Sequence, residues 1–154
     1  MNKKPIILVT CKVGSEDWCI EEIGNVLYPY DNSVEVIKTK YRGLLIAYSK
    51  LSAYEAYKLL LTREYGFVRN IIPIMITVPF DENLLYNKVK EVVKNTNCVK
   101  IKLRIRGVRG YSQKIWMRLV NAIRESGSKH DPNCNTCLFI EVIDSDIYIG
   151  LREC

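Results

Sequence analysis

The chain holds a single histidine, His130, among its 154 residues. A nucleophile needs an oriented base beside it, and one histidine leaves no spare residue for a conventional catalytic triad. Glycine is sparse, at eight residues, and no G-x-G-x-x-G loop follows a strand pattern; no P-loop motif occurs either. The signatures of dinucleotide and nucleoside triphosphate binding are therefore missing, and no cofactor is expected. The apolar run 6–9 is far shorter than a signal-peptide core. The longest apolar run, 71–78, contains Pro73 and falls well short of the roughly 20 residues of a membrane-spanning helix. No low-complexity segment or short-period repeat appears. The expectation is a folded protein of the cytoplasm.

Acidic residues are also scarce in one region. From Lys88 to Lys129 there are twelve Lys or Arg and only two acids, Glu91 and Glu125, a local charge of +10, whereas the whole chain carries +6. The rest must sum to −4, so positive charge is concentrated, as expected for a nucleic acid or another anionic surface as partner. At the centre of the window lies Val99-Lys100-Ile101-Lys102-Leu103-Arg104-Ile105-Arg106. Strict alternation is the period of a half-buried strand: Val99, Ile101, Leu103 and Ile105 face a core, and the four cations face away from it.

Six cysteines stand at 11, 19, 98, 134, 137 and 154. Without a signal peptide their even number argues only weakly for disulfides, although intracellular proteins of extreme thermophiles are an exception. Cys11 and Cys19 read most simply as small core residues. His130-x3-Cys134-x2-Cys137 offers three soft ligands where a structural zinc site needs four, and only a distant residue such as Cys154 could supply the last. A zinc site, a disulfide or redox pair, and a plain loop all remain open, with no metal expected.

In chain order, Ile6 to Cys11 reads as a buried strand. Ser15 then caps a helix with Glu16 and Asp17 in its first turn and Trp18, Cys19, Ile23, Val26 and Leu27 on its apolar face. A hairpin follows from Ser33 to Thr39 and from Leu44 to Tyr48. Ser52-x-x-Glu55 is a capping box opening a helix from Ala53 to about Tyr65, stopped at Gly66. Ile71 to Val78 forms a fourth strand. The order βαββαβ is the ferredoxin-like pattern, assigned to residues 1–79. Asp81 caps the next helix; the basic strand, a joint at Gly107 to Gly110, a helix from Ser112, and a hairpin over Cys137 to Leu151 complete an αβαββ domain over 80–154. The fold class is α+β.

Several stretches resemble the THUMP RNA-binding domain preceded by its small ferredoxin-like domain. They are Gly14-Ser15-Glu16, Arg42-Gly43-Leu44-Leu45, Leu51-Ser52, Arg69-Asn70-Ile71-Ile72-Pro73, Lys102 to Gly107, and Asp131-Pro132 followed by Ile140-Glu141-Val142. The Cys134-x-x-Cys137 pair departs from the family pattern. The resemblance implies a module that holds tRNA by its acceptor arm and 3′ end and delivers it to a modification centre. With no cofactor-binding domain before Cys154, the chain looks most like the stand-alone branch that assists a separate N4-acetylcytidine tRNA acetyltransferase. The alternative is the RNA-binding subunit or fragment of a tRNA methyltransferase, a thiouridine synthetase or another modification enzyme.

No catalytic residues are expected. Asp144 and Asp146 belong to a turn, and capping accounts for Glu16 and Asp17. Phosphate contacts are expected from Lys100, Lys102, Arg104, Arg106, Arg109, Lys114 and Arg118, with Tyr111 as a stacking platform for an unpaired base.

Overall fold

A computed structural model describes residues 2–108 and 112–154. The elements are β1 (Lys4–Cys11), α1 (Glu16–Leu27), β2 (Glu35–Lys38), β3 (Leu44–Ser49), α2 (Ala53–Leu60), β4 (Val68–Pro73), β5 (Ile76–Pro79), α3 (Glu82–Val93), β6 (Lys100–Arg106), α4 (Ser112–Glu125), β7 (Thr136–Ile143) and β8 (Asp146–Glu153). They form two compact units that divide between Ile74 and Met75. The mixed α+β class holds.

The first unit is a sheet of order β2-β3-β1-β4, antiparallel at every pairing, which is the ferredoxin-like order. One face packs Ile7, Val9, Leu45 and Ala47 against Cys19, Ile23 and Leu27 of α1 and Ala53, Ala56 and Leu60 of α2. Each large apolar side chain removed from water here contributes about 1.5–3 kcal/mol. Gly43, at φ +71°, turns the β2–β3 hairpin where a Cβ would meet the Cys11 carbonyl oxygen at 2.7 Å.

Several expectations need correction. The apolar run 71–78 is not one strand: β4 ends at Pro73, and β5 pairs with β8 in the second sheet. Ile74 N–H still donates to Ile6 O in the first sheet (2.8 Å), whereas Met75 N–H donates to Ile149 O in the second (2.8 Å). The chain thus changes sheets between Ile74 and Met75, and the boundary falls after residue 74 rather than 79. The second unit becomes βαβαββ. Helix α2 stops at Leu60, well before Gly66, because Tyr65 Oη–H caps the Leu60 carbonyl (2.6 Å) and the Glu22 carboxylate accepts the N–H groups of Gly66, Phe67 and Val68.

Ser15 makes no side-chain capping bond. Trp18 is 58% exposed and stacks on Phe67 at 5.9 Å instead of entering the core. Cys11 and Cys19 are joined in a disulfide.

The second unit is a sheet of order β5-β8-β7-β6. β6 runs parallel to β7, and the other pairings are antiparallel. Asp81 caps α3 by accepting Leu84 N–H (3.1 Å). Leu85, Val89 and Val93 of α3 and Ile115, Leu119 and Ile123 of α4 cover one face of the sheet, packed on Val99, Ile101, Leu138, Ile140, Val142, Ile147 and Ile149. Of the alternatives left open for Cys134 and Cys137, the two do not pair with each other: the disulfides are Cys98–Cys134 and Cys137–Cys154. With both sulfurs held in disulfides, His130, Cys134 and Cys137 do not assemble a ligand set; among the described residues no group of three His, Cys, Asp or Glu could hold a metal ion. No helix of the described residues is long and apolar enough to cross a membrane.

Candidate nucleic-acid interface

The basic strand is the edge of the second sheet, and the alternation read in its sequence sets its two faces. Val99 and Ile101 enter the core under the helices, with Leu103 and Ile105 packed partly against it. Lys100, Lys102, Arg104 and Arg106 therefore point to the opposite face. Lys102 and Arg104 are exposed and Lys100 is half-buried. The start of the strand is fixed from its outer side. Val99 N–H donates to Lys129 O (2.8 Å) and Asp131 N–H to Val99 O (2.9 Å), while Ile101 N–H donates to His130 Nδ1 (3.3 Å). The Cys98–Cys134 disulfide closes the same corner. Gly107, at φ +85°, ends the strand.

The row is not uniform. Arg106 Nη1 donates to Glu141 Oε2 at 2.9 Å, with side-chain exposures of only 13% and 9%. Parallel register sets Glu141 beside Arg104, two positions before Arg106. Burial pushes the Glu141 carboxyl above its ordinary range, and the charges of Arg106 and Arg104 oppose that push. Arg106 thus neutralises a buried acid, which corrects the expectation that it faces solvent as Lys102 and Arg104 do.

Arg118 also stands apart. It lies on α4, with its guanidinium 6.0 Å from the Tyr86 ring centroid and 3.8 Å from Glu82, in a cleft with Asn83, Asn87, Lys90 and Asn121. Lys90 there pairs with Glu125 at 2.6 Å. Lys114 is exposed on α4. The helices cover one face of the sheet and the β6 cations occupy the other, so the expected single cluster divides between them. Arg109 and Tyr111 lie outside the described residues.

The sequence reading missed two groups beside the row. Arg152 sits with its guanidinium 4.5 Å from the Phe139 ring centroid, and Phe139 is in register with Lys102 across β7. An arginine in the last strand of a hairpin gives no signal until the strand order is known. Trp116 packs partly on the core and meets the His130 ring edge-on at 5.0 Å. With Leu103, Gln113 and Met117 it lines a cleft of about 550 Å³ between β6 and α4.

No family model matches the sequence, and no curated protein matches it. Solved structures do. PH1313 from Pyrococcus horikoshii superposes with a TM-score of 0.73 at 16% identity, over 97% of this chain and 55% of that one. TrmN from Thermus thermophilus gives 0.64 at 16% identity, over 95% and 45%. A 4-thiouridine synthetase, solved as an RNA complex with bound ATP, gives 0.56 at 16% identity, over 98% and 42%. The fold is shared. The chain spans about half the length of these structures.

Proposed function

We propose that this chain is a tRNA-binding module of the THUMP type, preceded by its ferredoxin-like unit, serving tRNA modification without chemistry of its own. The observation that carries the reading is the row Lys100, Lys102 and Arg104 on an edge strand, with no acid in ion-pair contact among the described residues. The scaffold supports it: the same fold occurs in a 4-thiouridine synthetase solved with RNA. Lysine and arginine rows on a rigid strand neutralise phosphates, so the contacts position the ligand without reading its sequence.

The finer reading is an adaptor in the cytoplasm that presents tRNA to a separate enzyme, such as an N4-acetylcytidine tRNA acetyltransferase. A second reading follows from the partial coverage of PH1313, TrmN and the thiouridine synthetase: the chain is the RNA-binding part of a modification enzyme whose catalytic domain lies elsewhere. Binding to folded tRNA, measured against an RNA duplex of equal length over a range of salt, tests the common core of both. The expected result is tighter binding to tRNA, with log affinity falling linearly in log salt. Salt-independent or absent binding refutes it. Adding the chain to a partner acetyltransferase, with tRNA and acetyl donor, tests the adaptor role; the expected result is a higher rate of acetylation, with no product from the chain alone.

A further inference from the structure

Four of the six cysteines meet at the corner of the second unit where β6 begins. Cys98 is bonded to Cys134, and Cys137 to Cys154. The two bonds are neighbours: Cys154 Sγ lies 3.4 Å from Cys134 O, and Cys154 N–H donates to Asn135 O at 2.9 Å. Only Asn135 and Thr136 separate Cys134 from Cys137 in the chain, so each cysteine of this C-x-x-C pair is bonded elsewhere with its nearest alternative partner at hand. Access to the four sulfurs is uneven. Cys154 is exposed, whereas Cys137 and Cys134 are buried, at 1% and 9% exposure. Their electrostatic surroundings are uneven as well. Cys137 stands in register with Lys100 on β6 and with Arg152 on β8, and in-register residues of neighbouring strands share a face with backbones about 4.8 Å apart. Two cations therefore flank the Cys137 sulfur. The first unit has only Cys11–Cys19, with both ends buried.

We propose that this corner is a thiol–disulfide exchange site that takes a dithiol reductant as its reactant and switches between two cysteine pairings. A thiolate of the reductant attacks Cys154 Sγ, the accessible end; a bond forms between those two sulfurs, Cys137–Cys154 breaks, and the electron pair leaves on Cys137. Lys100 and Arg152 stabilise the negative charge on the leaving sulfur, and a better stabilised thiolate leaves faster. The second thiol of the reductant then displaces Cys154, and the reductant departs as a disulfide, oxidised by two electrons. The Cys137 thiolate next attacks Cys134 Sγ. Cys134–Cys137 forms, Cys98–Cys134 breaks, and the electron pair leaves on Cys98, with no net oxidation or reduction in this step. The two protons lost by the reductant end on Cys154 and Cys98. A bond that spans a separation of 36 residues is thereby exchanged for a short C-x-x-C closure. The start of β6 is then held by hydrogen bonds alone, Val99 N–H to Lys129 O, Asp131 N–H to Val99 O and Ile101 N–H to His130 Nδ1. The pairing of the four cysteines thus sets how firmly the basic strand is anchored, and it does so whatever ligand that strand holds.

The pairing is read by adding one equivalent of dithiothreitol to the native protein, quenching in acid, alkylating with N-ethylmaleimide and mapping the peptides by mass. The expected result is label on Cys98 and Cys154, a Cys134–Cys137 link, and Cys11–Cys19 intact. Cys137→Ser with Cys154→Ser should slow the opening of Cys98–Cys134 by at least about tenfold, because the attack from within the chain is lost. Lys100→Ala with Arg152→Ala should slow thiol release from the otherwise unchanged chain by roughly three- to tenfold, and Lys100→Arg should keep the original rate. A merely structural role of the two cations would act the other way, since loosened strands would release thiols faster.

Label on Cys137 and Cys154 with Cys98–Cys134 intact overturns the exchange and leaves two independent structural bonds. Absence of any reaction without denaturant overturns it too, as does opening of Cys11–Cys19 as fast as Cys137–Cys154. Should the double serine variant fail to fold, the label map of the unaltered chain still decides the question.

Discussion

In the first unit, carboxylates hold backbone. Asp31 accepts Ser33 N–H (2.9 Å), the Ser33 and Ser49 hydroxyls (2.6 Å each) and Lys50 N–H (2.9 Å). Glu22 accepts three successive N–H groups, Glu16 accepts Gly43 N–H (3.1 Å), and Asp17 pairs with Lys38 at 2.8 Å. The second unit presents a row of cations and buries one acid, Glu141, beneath Arg106. With ten basic and eight acidic residues in 1–79, and thirteen and nine in 80–154, net charge barely separates the units. Acids reach cations in both units, at Lys3 and Lys38 in the first and at Lys88, Lys90, Arg106 and Arg118 in the second. What separates them is that the first unit commits further acids to backbone N–H groups, whereas the second carries on one strand edge two exposed cations, Lys102 and Arg104, with no acid in ion-pair contact among the described residues.

The largest effect that should separate the units is loss of a disulfide. By the chain-entropy argument, stabilisation grows with the length of chain enclosed. Cys98–Cys134 encloses a separation of 36 residues, Cys137–Cys154 one of 17, and Cys11–Cys19 one of 8. Cys98→Ser is therefore expected to destabilise the second unit by about 4 kcal/mol, and Cys11→Ser the first by about 2.5 kcal/mol. Denaturant unfolding followed separately through Trp116 and Trp18 in single-tryptophan variants checks the order; equal losses would break it.

Next is RNA affinity. Lys102→Ala with Arg104→Ala is expected to weaken tRNA binding by about ten- to a hundredfold and to reduce the salt slope by about two, one for each phosphate contact removed. Lys38→Ala with Lys40→Ala should leave both nearly unchanged, since Lys38 is already held by Asp17. Filter binding at several salt concentrations measures both numbers. Equal losses from the two pairs would mean that the charge division between the units has no bearing on function.

What the sequence made visible follows from which partners are local. The strand from Lys100 to Arg106 could be read because apolar and basic residues alternate with period two, and Ser52 and Asp81 could be read as caps because each bonds an N–H three residues on. The change of sheet at Ile74 to Met75 could not: beyond Pro73 the apolar run continues through the crossing, and an apolar run does not say in which sheet its residues pair. Six cysteines allow fifteen pairings, and nothing local selects among them. Arg106 looked like Arg104 because its partner, Glu141, lies 35 residues away and becomes its neighbour only through the parallel β6–β7 pairing. Separation along the chain likewise hid Arg152 beside Phe139 and Trp116 beside His130.

Response to pH should have opposite sign in the two units. The Ser33 and Ser49 hydroxyls and the Lys50 N–H hold the Asp31 carboxyl well below its ordinary value near 3.8. A lowered folded value contributes stability that is complete above 3.8 and lost as pH falls further. Glu141 is raised by burial above its ordinary 4.5, so its protonated form favours the fold; that contribution is complete below 4.5 and lost as pH rises through the folded value. On acidification from neutrality, the Trp116 transition is expected to move to higher denaturant before the Trp18 transition begins to fall. Glu141→Gln should remove the rise and leave the fall. A parallel response of both reporters in the wild type would contradict the contrast.

The smallest expected effect concerns Arg118, and it tests whether being a cation in the basic window is enough. Arg118 lies within the +10 segment, yet its guanidinium is engaged by Glu82 and the Tyr86 ring, and the cleft it lines belongs to α3 and α4, on the helix side of the sheet. Its exposed contact with Glu82, at 3.8 Å, contributes at most about 1 kcal/mol to stability. A phosphate on the β6 row would meet the opposite face. Arg118→Ala is therefore expected to change tRNA affinity by less than about twofold and to leave the salt slope unaltered, since no released counterion is lost with it. Were Arg118→Ala to weaken binding as strongly as Lys102→Ala, the RNA would have to contact the α3–α4 surface, and the interface would be a belt around the second unit instead of a single strand edge.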